Sequence, residues 1–298
     1  MDSELEWIER IRHRAGSPRN GLELGIGDDC AVFRPRGEDL LFTTDLLLEN
    51  IHFRRNTHSP QDVGWKALAR GLSDIAAMGG TARFFLLSLA VPRWADRRWV
   101  DGFYGGALRL AGRERVLLAG GDLARNSKFA CDVVVCGAVP RGKALRRDGA
   151  KPGDAIYVSG RLGGSALGLA RRRGSAWKKH TRPEPRLSLG RVLRERMHAT
   201  AAMDLSDGLS LDLHRLCLAS RLSAAIQAPP RFPGASLRQA LHGGEDYELL
   251  FTVPARMRVP AEFEGIPLTR IGTMARGRAG NVSLDGTPLP PLGYDHFR

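Results

Sequence analysis

Several motifs that would assign a chemistry directly are missing from this sequence of 298 residues. The phosphate-binding pattern G-x-x-x-x-G-K-[ST] does not occur, and neither do the H-R-D and D-F-G signatures of protein kinases. The nucleophile motif G-x-S-x-G and the zinc motif H-E-x-x-H are absent as well. A full dinucleotide-binding fingerprint is also missing, since only Gly160-x-x-Gly163-Gly164 approaches it. These absences argue against P-loop enzymes, protein kinases, serine hydrolases of the G-x-S-x-G type, zinc proteases and Rossmann dehydrogenases.

Cysteines and long apolar segments are scarce. The four cysteines form no C-x-x-C pair and no zinc-like spacing, so we expect reduced, packed side chains. No run of about 18 apolar residues, the length of a transmembrane helix, is present. The first residues, MDSELEWIERIRHR, are charged rather than signal-like. We therefore expect a cytoplasmic protein without a membrane partner.

Positive charge is abundant, with 45 Lys and Arg against 32 Asp and Glu and a formal net charge of +13. This balance favours anionic partners such as nucleotides and phosphate esters. The basic clusters are short and dispersed, for example Arg171-Arg172-Arg173. A solvated basic surface is the alternative explanation, and we do not expect a nucleic-acid partner from charge alone.

Strands and helices alternate along the chain, with a break in composition at residues 140–154, which are rich in Gly, Pro and basic residues. We predict two α/β domains, residues 1–140 and 141–298. The elements predicted for the first are helix 1–20, strands 22–33 and 39–45, a helix capped by Ser59 that ends at Met78, strand 83–91, helix 95–112, and strands 116–119 and 129–139. Those predicted for the second are strand 155–159, a helix to about 173, a mobile basic loop at 174–183, helix 185–197, strand 199–203, a helix after Gly208, strand 247–253 and a hairpin at 281–290.

Carboxylates beside glycine or at strand ends recur in both halves. Asp28 and Asp29 follow Gly25 and Gly27, and further acids of this kind are Asp45, Asp74, Asp122, Asp204, Asp207, Glu245 and Asp246. Oxygen ligands of this type suit Mg²⁺, and several Mg²⁺ ions indicate polyphosphate chemistry. Two alternatives remain open: the Asp28-Asp29 pair suits an ordinary surface turn, and Asp74 suits an exposed helix position.

Taken together, the motifs resemble those of thiamine-monophosphate kinases, in the superfamily of aminoimidazole ribonucleotide synthetase and selenophosphate synthetase. The segments that carry the resemblance are GIGDDCAVF, TTDLLLENIHF, WKALARGLSDIAAMGG, GGD, GAKPGD, MDLSDGLSLDL, GGEDYELLFTVP and GYDHF. The resemblance implies an α/β (α+β) two-domain fold and a homodimer in which the N-terminal sheets pair. It also implies Mg²⁺-assisted transfer of the ATP γ-phosphoryl group to thiamine monophosphate. The alternatives are a relative with another acceptor, or a basic nucleic-acid-binding or scaffold protein without catalysis.

The resemblance also implies roles for individual residues. The implied Mg²⁺ ligands are Asp29, Thr43, Thr44, Asp45, Asp74, Asp122, Asp204 and Asp207, of which Asp45, Asp122 and Asp207 are expected to be catalytic. The implied ATP contacts are Tyr104, Gly121, Asp122, Arg147 and Ser206, and the implied thiamine-phosphate contacts are His52, Glu245 and Tyr294. For Arg147, which lies in the basic linker, a solvated side chain is the alternative. Leu123-Ala124 depart from the two threonines usual in the family.

Overall fold

Two β-sheets organise the computed structural model, which describes residues 22–24, 28–29, 31–34 and 37–297. The predicted helix at 1–20 lies outside the described residues. The elements of the first half are β1 (Leu22–Leu24), β2 (Ala31–Phe33), β3 (Glu38–Leu48), α1 (Pro60–Ala77), β4 (Thr81–Val91), α2 (Arg97–Glu114), β5 (Leu117–Arg125) and β6 (Ala130–Pro140). The first sheet has the strand order β1-β2-β3-β6-β4-β5, in which β4 and β5 are parallel and the other neighbours antiparallel.

The second sheet contains the strands that follow residue 154. Its elements are β7 (Ala155–Ser159), α3 (Gly164–Arg171), α4 (Gly174–Thr181), α5 (Leu187–Glu195), β8 (Ala201–Asp204), α6 (Leu209–Ser220), β9 (Ser223–Ile226), α7 (Leu237–His242), β10 (Leu249–Val253), β11 (Glu262–Phe263), β12 (Ile266–Ala275), β13 (Val282–Leu284) and β14 (Thr287–Pro288). The order is β14-β13-β9-β12-β7-β10-β8, with β11 paired to β12. A 3₁₀ turn, Arg147–Gly149, lies between the two sheets in the sequence.

The two faces of the first sheet differ in burial. On β3, Leu41 and Leu47 are fully buried on the face that α1 covers, whereas Phe42 and Leu46 are 36% and 52% exposed on the other. Leu86 of β4 is also 36% exposed. Because successive strand residues point to opposite faces, the outer face is an apolar surface open to solvent in the single chain.

Helix α1 lies at the centre of the molecule. It begins as predicted, with Ser59 as N-cap accepting from the backbone N–H of Asp62 at 3.2 Å and with Pro60 in the first turn. The helix is buried around most of its circumference, since it packs against the first sheet, α2, α5 and β8. Gly190 of α5 approaches closely enough that a Cβ there would lie 2.0 Å from the carbonyl oxygen of Ala76. One apolar core therefore extends from the first half into α5 and β10.

Three predicted elements are wrong, and the reasons are tertiary. The predicted strand 22–33 is two strands, β1 and β2, which pair with each other antiparallel. Residues 174–183 were expected to form a loop, but Gly174–Thr181 is helix α4, because Ala176 and His180 pack into the interior. Strand β5 does not end at residue 119; pairing with β4 carries it through Gly120-Gly121-Asp122 to Arg125. Strand β12 was not predicted, whereas the hairpin of β13 and β14 is confirmed.

The remaining sequence predictions concern organisation. The two-domain α/β (α+β) fold is confirmed, and we retain a boundary after Pro140 as a proposal. Of the four cysteines, the three in the described part of the chain, Cys131, Cys136 and Cys217, are buried free thiols, as predicted. Among the described residues, no helix combines the length and apolar character that crossing a membrane requires.

Candidate functional site

A cavity of about 320 Å³ opens between the two halves of the chain. Strand β3 and helix α1 supply one wall, and the segment after β8, the loop before β10 and the C-terminal tail supply the others. The side chains around it are mostly polar, with an apolar rim. The lining residues are Asp45, Ile51, His52, Arg70, Asp74, Ser165, Ala166, Leu169, Asp204, Ser206, Asp207, Gly244, Glu245, Tyr247, Tyr294 and His296.

Three carboxylates converge at one wall of this cavity, which Asp74 and Asp204 line and Asp29 adjoins. One oxygen each from Asp29, Asp74 and Asp204 lies within 4.8 Å of the others. The hydroxyl of Thr43 donates to Asp74, and that of Ser73 donates to Asp204 at 2.6 Å. Burial raises the pKa of both Asp74 and Asp204 well above the ordinary value, and neighbouring carboxylates raise it further. Such a donor set suits a hard divalent cation, which would relieve this repulsion.

Two arginines flank the carboxylates. Arg70 pairs with Asp45 at 2.8 Å, and Arg147 pairs with both oxygens of Asp29, one of them at 3.3 Å from its Nε. The backbone N–H of Arg147 donates to Asp28 at 3.2 Å. The solvated alternative for Arg147 and the plain surface turn for Asp28-Asp29 are therefore both wrong. Asp74 likewise faces the cavity rather than bulk solvent.

A further buried acid, Asp212, holds the loop between β8 and α6. Asp212, fully buried, accepts from the backbone N–H groups of Asp207 and Gly208 at 3.1 and 3.0 Å. Burial raises its pKa to about 7, with the charge of Asp207 as the next contribution. Arg215 pairs with both carboxylates. Asp212 and Arg215, both on α6, thus fix the segment and carboxylate of Asp207 beside the cavity.

The opposite side of the cavity presents a neutral hydrogen-bond donor, His52, and a carboxylate, Glu245. Nδ1 of His52 accepts from the backbone N–H of Leu48 at 2.9 Å, so Nε2 carries the proton in the neutral ring. Burial, followed by the charge of Arg70, lowers the pKa of His52 to about 3. Glu245 pairs with Lys66 at 2.7 Å. Neutral imidazole and charged carboxylate therefore stand side by side at neutral pH.

Comparison with known proteins assigns the chain to a family. Residues 27–139 match the family described as AIR synthase related protein, N-terminal domain, and residues 151–285 match its C-terminal domain counterpart. The thiamine-monophosphate kinase of Salmonella typhimurium is 39% identical, over 99% of this chain and 98% of that protein. The chain belongs to the thiamine-monophosphate kinase family. The resemblance predicted from the motifs is confirmed.

Solved structures of thiamine-monophosphate kinases have the same fold. A structure described as AaThiL complexed with AMPPCP and TMP superposes with a TM-score of 0.88 at 32% identity, covering 99% of this chain and 97% of that one. The thiamine-monophosphate kinase of Stenotrophomonas maltophilia superposes with a TM-score of 0.78 at 38% identity, covering 95% and 97%. The two-domain arrangement is therefore that of the kinase family.

Eight of the residues predicted from the family motifs line the cavity, three more contact this group (Asp29, Thr43 and Arg147), and four lie elsewhere. Thr44 points to the outer face of the sheet and donates to Asp132 at 2.5 Å. Tyr104 lies on α2 and packs against Phe103. Gly121 and Asp122 lie on β5, which is exposed along its length and stands three strands from β3, or about 14 Å at ordinary strand spacing.

The structure adds residues that the motif analysis did not single out. Lys66 and Arg70 lie eight and four residues before Asp74 on α1, so all three share one helical face. That spacing is visible in the sequence and places them on one face, but it does not show that Lys66 is buried. Tyr247 and His296 lie within the family segments GGEDYELLFTVP and GYDHF, whereas no local pattern marks His180.

Proposed function

We propose that this protein transfers the γ-phosphoryl group of ATP to thiamine monophosphate, giving thiamine diphosphate and ADP. The observation that best supports this function is the cavity, because it brings the buried carboxylates Asp74 and Asp204 together with the hydrogen-bond donor His52 and the carboxylate of Glu245. The complex of a family member with an ATP analogue and TMP, at 32% identity, supports both substrates.

Mg²⁺ fits the carboxylate side of the cavity. Asp29, Asp74 and Asp204 would hold it, with Asp45, Asp207 and Thr43 beside them, because these are oxygen ligands and a cation would relieve the repulsion that raises the pKa of Asp74 and Asp204. Bound there, Mg²⁺ supplies charge neutralisation for the phosphates. Thr44 and Asp122 belong to this ligand set only if another chain completes it.

The protein's own groups bind and orient the reactants. Ser206 lies on the cavity wall and can donate to a phosphate oxygen, while Arg147 anchors Asp29. The acceptor is a phosphate monoester with a second pKa near 6, so it is already a dianionic nucleophile at neutral pH. A protein base is therefore unnecessary, and the neutral His52 ring serves as a hydrogen-bond donor.

Glu245 and Tyr294 suit the cationic, aromatic end of the acceptor. The Tyr294 ring is 48% exposed at the cavity rim, and its backbone N–H donates to the carbonyl of Asp207 at 2.9 Å. The backbone thus anchors the tail, and the ring lines the cavity in edge contact with His296, with ring centroids 4.8 Å apart. A ring face over a thiazolium contributes about 0.5–2 kcal/mol.

We further propose that the protein is a homodimer whose first sheets face each other. The apolar outer face and the edge strand β5 are both open in the single chain. A second copy packed there would cover Phe42, Leu46 and Leu86, and would enclose Thr44 and Asp122.

The test of the reaction is ADP release by the purified protein with ATP and Mg²⁺, with and without thiamine monophosphate. We expect release that depends on thiamine monophosphate and yields thiamine diphosphate. Thiamine, which lacks the phosphate nucleophile, is the matched control and should give no product. Equal ADP release with and without the acceptor would contradict the proposal, because the phosphoryl group would then be transferred to water, and no release in either case would favour a relative with another acceptor.

A further inference from the structure

Lys66 is a fully buried cation that joins two sides of the cavity. Its side chain has no exposed surface, and its Nζ lies 2.7 Å from Oε1 of Glu245 and 3.2 Å from the carbonyl oxygen of His52. Burying an ammonium group is costly unless it is paired and hydrogen-bonded. Both partners of Lys66 belong to the acceptor side of the cavity, so the free-energy cost of burying the ammonium group arises at the site itself.

Each of the two segments that Lys66 joins also has a backbone contact of its own. The turn after β3 is closed by the backbone N–H of His52 donating to Leu48 at 3.0 Å. Glu245 has a φ of 65°, in the left-handed region that non-glycine residues rarely adopt, and its N–H donates to the carbonyl of Ser206 at 2.7 Å. An unfavourable backbone conformation of this kind persists only where surrounding contacts enforce it.

The carboxylate of Glu245 is oriented through both oxygens. Oε1 is bound by Lys66, and Oε2 lies 3.4 Å from Nδ1 of His180, whose ring also contacts the hydroxyl of Ser165 at 2.9 Å. Burial raises the pKa of Glu245, but the charge of Lys66 lowers it to about 2. The pair is therefore internally neutralised, and Glu245 acts as a fixed hydrogen-bond acceptor rather than as an unpaired counter-ion.

We propose that Lys66 is a positioning residue for acceptor recognition, which fixes the Glu245 carboxylate and the His52 turn at one separation across the cavity. This inference rests on the proposed function, because the acceptor is assigned there. It gives Lys66 no contact with ATP and no part in phosphoryl transfer.

The test compares Lys66→Met with wild type in steady-state kinetics. We expect KM for thiamine monophosphate to rise by about tenfold or more, since a buried charge-assisted contact is lost. KM for ATP should stay within about twofold. The matched control is Lys179→Met, which removes a cation from another buried carboxylate, Glu248, while Arg186 still pairs with it. That variant should leave both KM values near those of wild type.

A double variant separates positioning from a general structural effect. If Lys66 acts through Glu245, Lys66→Met combined with Glu245→Gln should raise KM for thiamine monophosphate no more than Glu245→Gln alone. If Lys66→Met does not fold, Lys66→Gln, which keeps a donor, is compared in the same way. An unchanged acceptor KM in the folded variant, or additive effects in the double variant, would overturn the inference. A wild-type protein without acceptor-dependent turnover would instead refute the proposed function.

Discussion

At the scale of single residues, the buried carboxylates carry an unfavourable interaction in the metal-free protein. Asp204 is 2% exposed, and the pKa values of Asp74 and Asp204 are raised. A folded-state pKa above the unfolded value means that the folded state binds more protons, so stability falls as pH rises above about 4. Negative charge at these positions therefore lowers the stability of the folded state, and it also provides a site that a cation can occupy.

This gives a prediction for Asp204→Asn. In the presence of a chelator, the variant should melt at or above the wild-type temperature, because one repelling charge is removed. Added Mg²⁺ should raise the melting temperature of wild type more than that of the variant. Turnover should fall by on the order of 100-fold, the scale for one preorganised electrostatic group.

Thermal melting with and without Mg²⁺ checks the first part, and ADP release checks the second. An Asp204→Asn variant with the full Mg²⁺ response would remove Asp204 from the ligand set. Asp154→Asn, at a buried acid away from the cavity, is the matched control for Mg²⁺ dependence.

The pH dependence of the reaction should not report His52. Its pKa of about 3 keeps the ring neutral between pH 5 and 8. We therefore expect the acid limb of kcat/KM to lie near pH 6, where the acceptor phosphate loses its second proton. His52→Gln should lower kcat/KM without moving this limb. A limb that shifts in the variant would show that the ring titrates during catalysis.

At the scale of elements, local signals predicted the secondary structure where a single segment carries them. The Ser59-Pro60 start of α1 is such a case, since cap and first turn are adjacent in sequence. Helix α4 and the full length of β5 were missed because distant residues stabilise them. Neither the packing of Trp177 against His58 nor the pairing of β5 with β4 leaves a local pattern.

The predictions for the site divide in the same way, into features that local sequence shows and features that distant contacts determine. Family motifs identified the acids, but their partners come from far along the chain, as with Asp29 and Arg147, 118 residues apart. Lys66 was missed for a different reason. A lysine in an amphipathic helix ordinarily lies at the surface, and only the three-dimensional contact with Glu245 identifies it as buried.

Close packing of α1 against α2 gives a test at the element scale. A Cβ on Gly106 would lie 1.9 Å from the carbonyl oxygen of Gln61, whereas a Cβ on the adjacent Gly105 would meet nothing within 4 Å. We expect Gly106→Ala to destabilise by about 1–3 kcal/mol through overpacking. Gly105→Ala should instead stabilise by up to about 1 kcal/mol through helix propensity. Chemical denaturation measures both, and equal effects would contradict this packing.

At the scale of the whole molecule, the proposed dimer predicts that assembly and activity are linked. Leu86→Glu places a charge on the outer face of the first sheet, where a partner sheet would pack. We expect the variant to be monomeric and to lose most activity, because Asp122 lies too far from the cavity of its own chain to serve it. Sedimentation and ADP release measure the two properties.

Leu108→Glu is the control for this experiment. Leu108 is 46% exposed on α2, away from the outer face, so a charge there should change neither mass nor rate. A monomeric wild-type protein with full activity would refute the dimer proposal.

The shared face of α1 has a consequence for changes in chain length. Lys66, Arg70 and Asp74 reach their partners only in one rotational setting, and one residue added to a helix turns all that follows by about 100°. A single alanine inserted after Ala67 would leave Lys66 in place and swing Arg70 and Asp74 away from Asp45 and Asp204. We expect such an insertion to abolish ADP release, whereas one after Ala255, in the exposed connection between β10 and β11, should leave it unchanged.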